Sequence, residues 1–139
     1  MQLPEFLEWN IQTQSIIAMG NIAVTYKHLG RYIEVEKLEV QVLDKRNRIL
    51  RLEHPQAIHA MVHLAVTYKH LQKYTEAEKL DFQILDVRNR ILGVGHLETI
   101  YAVGNLAVTY KYMGEFTEAE KLEIQVLDSR NRILGVGLW

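Results

Sequence analysis

Three histidines, His59, His63 and His70, stand at i, i+4 and i+11, a single stripe if the segment is helical, and His28 recurs at the register of His70. Zinc and nickel accept imidazole pairs at i,i+4. His59 and His63 are therefore the metal candidates, but no carboxylate intervenes as in H-E-x-x-H and spacing fixes no third ligand, so no bound metal is expected. The more direct consequence of the stripe is acid sensitivity, because histidine titrates near pH 6.5. Other catalytic chemistry finds less support. Gly93-Val94-Gly95 and its copy Gly135-Val136-Gly137 lack the downstream Gly-Lys-Ser/Thr of a phosphate loop, and helix termination explains both. Ser15 and Ser129 have no repeated histidine and acid around them, and the chain has no cysteine to serve as nucleophile, thiolate ligand or disulfide. The expectation is a non-enzyme without a cofactor.

What must position these residues is a repeat. LAVTYKHLQKYTEAEKL begins at Leu64, returns at Leu106 as LAVTYKYMGEFTEAEKL, and appears at Ile22 as IAVTYKHLGRYIEVEKL, each start 42 residues after the last. A strict period without insertions is one supersecondary unit written three times, whose copies must stack to bury what each leaves exposed. In the middle copy Ile58, Met61, Leu64, Ala65, Tyr68 and Leu71 recur every three or four residues, the apolar stripe of a first helix, helix A. Pro55 suits its first turn. Its stop near Gln72 is glycine in the other copies, Gly30 and Gly114, the residue that tolerates a left-handed helix end. Thr75 with Glu78, and Thr117 with Glu120, read as capping boxes opening a second helix, B; Ile33 breaks the pattern in the first copy and predicts a cap weaker by about 1 kcal/mol. Helix B is expected to bury Ala77, Leu80, Ile84, Ile91 and Leu92, while Asp44 with Arg48, Asp86 with Arg90 and Asp128 with Arg132 form i,i+4 pairs on its solvated face.

Composition agrees with a folded, unspecialised domain. Sixteen basic against seventeen acidic residues in a chain of 139, 48% hydrophobic and 24% charged, exclude a strongly basic nucleic-acid binder and a disordered tail. The N-terminal MQLPEFLEWNIQT carries Glu5 and Glu8 and no apolar run, so neither a signal peptide nor a membrane anchor is expected. Absence of cysteine agrees with a reducing compartment, and a cytoplasmic location is the default expectation. Gly20 and Gly104 each cost their helix roughly 1 kcal/mol relative to alanine, so something should need the space: crowding by an adjacent helix is the favoured reason, approach of a ligand the other.

The L-A-x-x-Y of helix A, the following Gly and Tyr or Phe, and the E-A-E of helix B resemble a tetratricopeptide repeat (TPR) of the 42-residue kinesin-light-chain type, similar to arrays in fungal and bacterial NACHT or NB-ARC receptors. The resemblance implies an all-α, right-handed α-solenoid of three helix-turn-helix units, at about 14–55, 56–97 and 98–139; residues 1–13 do not fit the repeat, and Leu3, Phe6, Leu7 and Ile11 could form a capping helix there. Val42, Ile84 and Val126 replace the small residue that many such repeats carry late in helix B, and neighbouring helices are expected to pack slightly farther apart.

In the resembling arrays helix A lines a concave surface that holds protein partners. The matching positions here are Ile17, Asn21, Val24, Lys27 and His28, then His59, His63, Val66, Lys69 and His70, then Tyr101, Asn105, Val108, Lys111 and Tyr112. Val24, Val66 and Val108 form an apolar row beside the lysines, which suits an extended acidic peptide with apolar anchors; a cation in the last turn of a helix also favours the helix dipole without any ligand. Ile17, His59 and Tyr101 vary and are expected to set selectivity. Neither nucleic acid nor membrane is an expected partner. The chain ends at Leu138 and Trp139, where a fourth helix A would begin, so self-association end to end or about a two-fold axis is an alternative. Derivation from a larger receptor is another.

Overall fold

The computed structural model describes residues 2–51 and 54–135, and the expectations placed on Val136, Gly137, Leu138 and Trp139 lie outside the described residues. Among the described residues there are six helices and no strand: α1 (Glu5–His28), α2 (Tyr32–Ile49), α3 (Pro55–His70), α4 (Tyr74–Leu92), α5 (Leu97–Tyr112) and α6 (Phe116–Leu134). Contacts divide them into two compact units, one of α1, α2 and α3 and the other of α4, α5 and α6. In the first, α2 packs against both α1 and α3; in the second, α5 packs against both α4 and α6.

Helix A follows its apolar stripe. Ile58, Met61, Leu64 and Ala65 are buried, and Pro55 occupies the first turn of α3. The cap was not legible: His54 accepts the Gln56 amide on Nδ1 at 3.2 Å, and His96 accepts the Glu98 amide at 3.1 Å. Gly30 and Gly114 close α1 and α5 at φ 72° and 78°, and Gln72, in the same place after α3, adopts φ 61° although it carries a Cβ.

Four expectations are corrected. The capping boxes do not form, because α4 and α6 already begin at Tyr74 and Phe116, which places Thr75 and Thr117 inside the first turn. Arg31, Lys73 and Glu115 instead lead into α2, α4 and α6 with nearly one backbone geometry and no side-chain cap, so Ile33 does not set the first copy apart. Residues 5–13 are not a separate capping helix but continue into helix A as a single α1, with Phe6, Leu7 and Ile11 exposed. On α4, Ala77 and Ile84 are buried as expected, but Ile91 and Leu92 are exposed; Asp81, Val87 and Arg88 take the interior instead. Crowding explains neither Gly20 nor Gly104, since a Cβ at either would meet nothing within 4 Å.

The core of the first unit gathers Ile16 from α1, Val42 from α2 and Ala60 from α3, with Met19, Leu43 and Ile49 packed at its margin. Polar bonds join the helices beside it. Thr67 on α3 donates its hydroxyl to the buried carboxylate of Glu39 on α2, and Thr109 on α5 donates to buried Asp81 on α4. Near the other end of each pair Arg46 Nη1 donates to the Gln56 carbonyl at 2.9 Å, and Arg88 Nη1 to the Glu98 carbonyl at 3.2 Å. The expected i,i+4 pairs form at Arg48 with Asp44, 3.0 Å, and at Arg90 with Asp86, 3.3 Å.

Candidate functional site

The first unit contains a cleft of about 390 Å³. That lies within the roughly 300–1,000 Å³ typical of ligand sites. Its lining comes from all three helices: Ile17, Asn21, Val24 and Lys27 from α1, Glu39, Val42 and Arg46 from α2, and His59, Ala60 and His63 from α3. Helical spacing puts the α1 and α3 residues on facing stripes, so six of the positions expected from sequence meet here. A second hollow of about 310 Å³ adjoins it through Ile16, Ile17, Arg46 and Gln56 and reaches Trp9 on the N-terminal turns of α1.

Sequence reasoning missed Glu39 and Arg46. Both recur every 42 residues as an acid (Glu39, Asp81, Glu123) and an arginine (Arg46, Arg88, Arg130), a signal present in the aligned copies. Glu39 brings Lys27 into an ion pair at 3.1 Å while its other oxygen takes the Thr67 hydroxyl. Lys27 and Arg46 thus place two basic side chains in the cleft against one carboxylate. Burial lowers the pKa of Arg46, but a guanidinium keeps its proton in proteins. His63 is held below the ordinary imidazole value, first by burial and then by the positive field of Lys27, with Glu39 acting the other way. It is neutral at pH 7.

Other expected positions divide by their surroundings. His28 and Val66 are exposed, and His70 stacks on Tyr32 with ring centroids 4.4 Å apart. In the second unit Tyr101, Asn105, Val108 and Tyr112 are exposed on α5; Tyr112 stacks on Tyr74 at 5.3 Å, and the Arg130 guanidinium lies over Tyr101. Lys111 pairs with Glu123 at 2.7 Å, as Lys27 does with Glu39, and Lys69 too has an interaction partner. The lysine row is thus engaged with the protein itself. Among the described residues no three His, Cys, Asp or Glu side chains form a group that could hold a metal, although His59 and His63 share the cleft.

A tetratricopeptide repeat pattern matches residues 56–132, more than half of the chain, and a second pattern of that description matches residues 16–56. The chain belongs to the tetratricopeptide repeat family. Its fold is of the α-solenoid class built from helix-turn-helix repeats, and repeats of this family mediate protein–protein interaction. No curated protein matches the TPR chain. Among solved structures it is similar to a kinesin-light-chain-like protein of Podosopora anserina with nearly identical TPR-like repeats, at 25% identity and TM-score 0.78, covering 85% of this chain and 56% of that one. BtubC from P. vanneervenii matches in fold at 19% identity, TM-score 0.67, over 84% of this chain and 46% of that one. The TPR domain of Arabidopsis FLU does so at 16% identity, TM-score 0.72, over 87% of this chain and 98% of that one. The TPR chain thus spans little more than half of the kinesin-light-chain-like relative. No helix among the described residues is long and apolar enough to cross a membrane.

Proposed function

We propose that this TPR chain binds an extended, acidic segment of a partner protein, with the cleft of the first unit as its principal seat. The observation that carries the reading is the pairing of surplus positive charge at Lys27 and Arg46 with the apolar wall of Ile17 and Val24. A carboxylate of the ligand would be met by charge-assisted hydrogen bonds, and a neighbouring apolar side chain would lie against the wall. Asn21 and His59 offer polar groups to the peptide backbone, and Gly20 leaves room for its approach. Tyr101, Asn105, Val108, Lys111 and Tyr112 on α5 are proposed as a second anchoring patch, on the other unit.

The test is titration of a fluorescent peptide alternating Glu and Leu, beside a version with Lys in place of Glu. Affinity for the acidic peptide should exceed that for the basic one at least tenfold and fall by a similar factor in Val24→Asp. Equal affinity for the two peptides, or an unchanged Val24→Asp, would remove the cleft from the reading. Val108→Asp, made in parallel, measures the α5 patch by itself.

A further inference from the structure

We propose that α6 of one chain docks on α1 of a second copy, head to tail, in the register by which each helix B already meets the following helix A. Within the first unit the α3 stripe Ala57, Ala60, Leu64 and Thr67 is buried, and within the second the α5 stripe Thr99, Ala102, Leu106 and Thr109 is buried as well. The same register on α1 is Ser15, Ala18, Ile22 and Thr25, and all four are exposed. Leu64 is 3% accessible, whereas Ile22, its equivalent, is 44% accessible.

The complementary half lies on α6. Glu39 and Asp81 are buried under the threonines that donate to them, yet the side chain of Glu123 is 47% accessible and, Lys111 aside, takes no hydroxyl among the described residues. Arg46 and Arg88 each reach a carbonyl of the following helix; Arg130 turns instead to the ring of Tyr101 on the preceding one. Leu127, at the register of half-buried Leu43 and Leu85, is exposed. What α6 lacks, α1 carries. Thr25 holds the register of Thr67 and Thr109 and points its hydroxyl back to its own helix, at the Asn21 carbonyl 3.3 Å away. Gln14 holds the register of Gln56 and Glu98, whose carbonyls receive the arginines.

A second copy is the occupant because one chain supplies both halves at fixed spacing: an acid for a threonine, an arginine for a carbonyl, a leucine for an isoleucine. A two-fold pairing of α6 with α6 would set Glu123 and Arg130 against their own kind of face, with no threonine hydroxyl for the acid. The interface is heterologous, of the kind that propagates or closes a ring.

Sedimentation equilibrium of the 139-residue chain should give an average mass rising with concentration above that of the monomer. Ile22→Asp spoils only the α1 face and Leu127→Asp only the α6 face. Each variant alone should remain a monomer, and an equimolar mixture should form a dimer and nothing larger, since each brings one intact face. That complementation also shows that both variants are folded; Ala18→Arg, exposed in the single chain, is a second α1-face variant and should behave as Ile22→Asp does. A wild type that stays monomeric to millimolar concentration overturns the proposal. So does self-association that survives Ile22→Asp and Ala18→Arg but is lost in Leu127→Asp, which would indicate the two-fold pairing of α6.

Discussion

The hydroxyl of Thr67 on α3 donates to one oxygen of Glu39 on α2, and the other oxygen of that carboxylate takes the Lys27 ammonium from α1 at 3.1 Å. One acid therefore ties together all three helices of the first unit and fixes a cation in the wall of the cleft. A buried carboxylate is costly unless it is paired and hydrogen-bonded. Both conditions are met here, which is why helix B tolerates an acid on its inner face.

Thr67→Val removes the hydroxyl and leaves Glu39 Oε1 without that donor. Unfolding in urea should show a loss of about 1–3 kcal/mol, the cost of stranding a buried polar atom. Adding Glu39→Leu to Thr67→Val should recover part of it, because no buried carboxylate is then left to strand and the Lys27 ammonium, its side chain 28% accessible, reaches water. A single-variant loss no larger than that of an ordinary surface substitution, about 0.5 kcal/mol, would show that the hydroxyl does not hold the carboxylate.

Gly104→Ala should stabilise α5 by about 1 kcal/mol, since the helix gains a better former and the new methyl meets nothing. Gly20→Ala should stabilise α1 by a similar amount while narrowing the cleft it lines. Thermal melts check both gains; the peptide titration should then weaken for Gly20→Ala, and no weakening would leave that glycine without a role in binding.

Gln72 occupies a left-handed conformation that Gly30 and Gly114 adopt without a Cβ. That conformation costs a residue with a side chain roughly 1–2 kcal/mol, partly offset by the larger unfolded-state entropy of glycine. Gln72→Gly should therefore raise the urea midpoint by an amount equivalent to about 0.5–1 kcal/mol. Destabilisation would mean that the Gln72 side chain makes contacts worth more than the backbone strain.

His63 has a depressed pKa, so the unfolded chain binds its proton more readily than the folded one. This histidine's contribution to stability is unpenalised above the unfolded value near 6.5, and stability falls as the pH drops from there through the lower folded value. Peptide binding should move the other way: protonation adds a third cation to the cleft, so affinity for an acidic peptide should rise across the same window. His63→Asn should flatten both His63 contributions, read as the difference between variant and wild type in urea unfolding and in peptide titration at each pH. A parallel pair of profiles would assign the pH dependence to other groups.

Helix A and the repeat were legible because apolar spacing and the stop at Gly30 and Gly114 report directly on backbone physics. Helix B was only half legible. Its inner face carries Glu39, Asp81 and Arg88, residue types that periodicity assigns to water, and their partners Thr67, Thr109 and the Glu98 carbonyl lie on the next helix. A helix-by-helix reading cannot pair residues that are 28 positions apart. The three carboxylates at Glu39, Asp81 and Glu123 were nevertheless visible as a row once the copies were aligned, and constancy of an acid at a stacking position was the available clue. The cleft follows the same pattern: register alone points to Lys27 and His63, whereas Arg46 stands two residues before Arg48, whose regular i,i+4 pair with Asp44 is the stronger signal in the sequence.

Because the arginine-to-carbonyl contacts span 10 residues and recur every 42, they are written entirely in the length of one unit. A genetic duplication or excision of a whole unit would carry donor and acceptor along in phase and leave every such contact intact. A change of length inside the 10-residue span would part an arginine from its carbonyl. The array is thereby tolerant of variation in copy number and intolerant of frame within the copy, and lineages that lengthen or shorten it should do so in steps of one complete repeat.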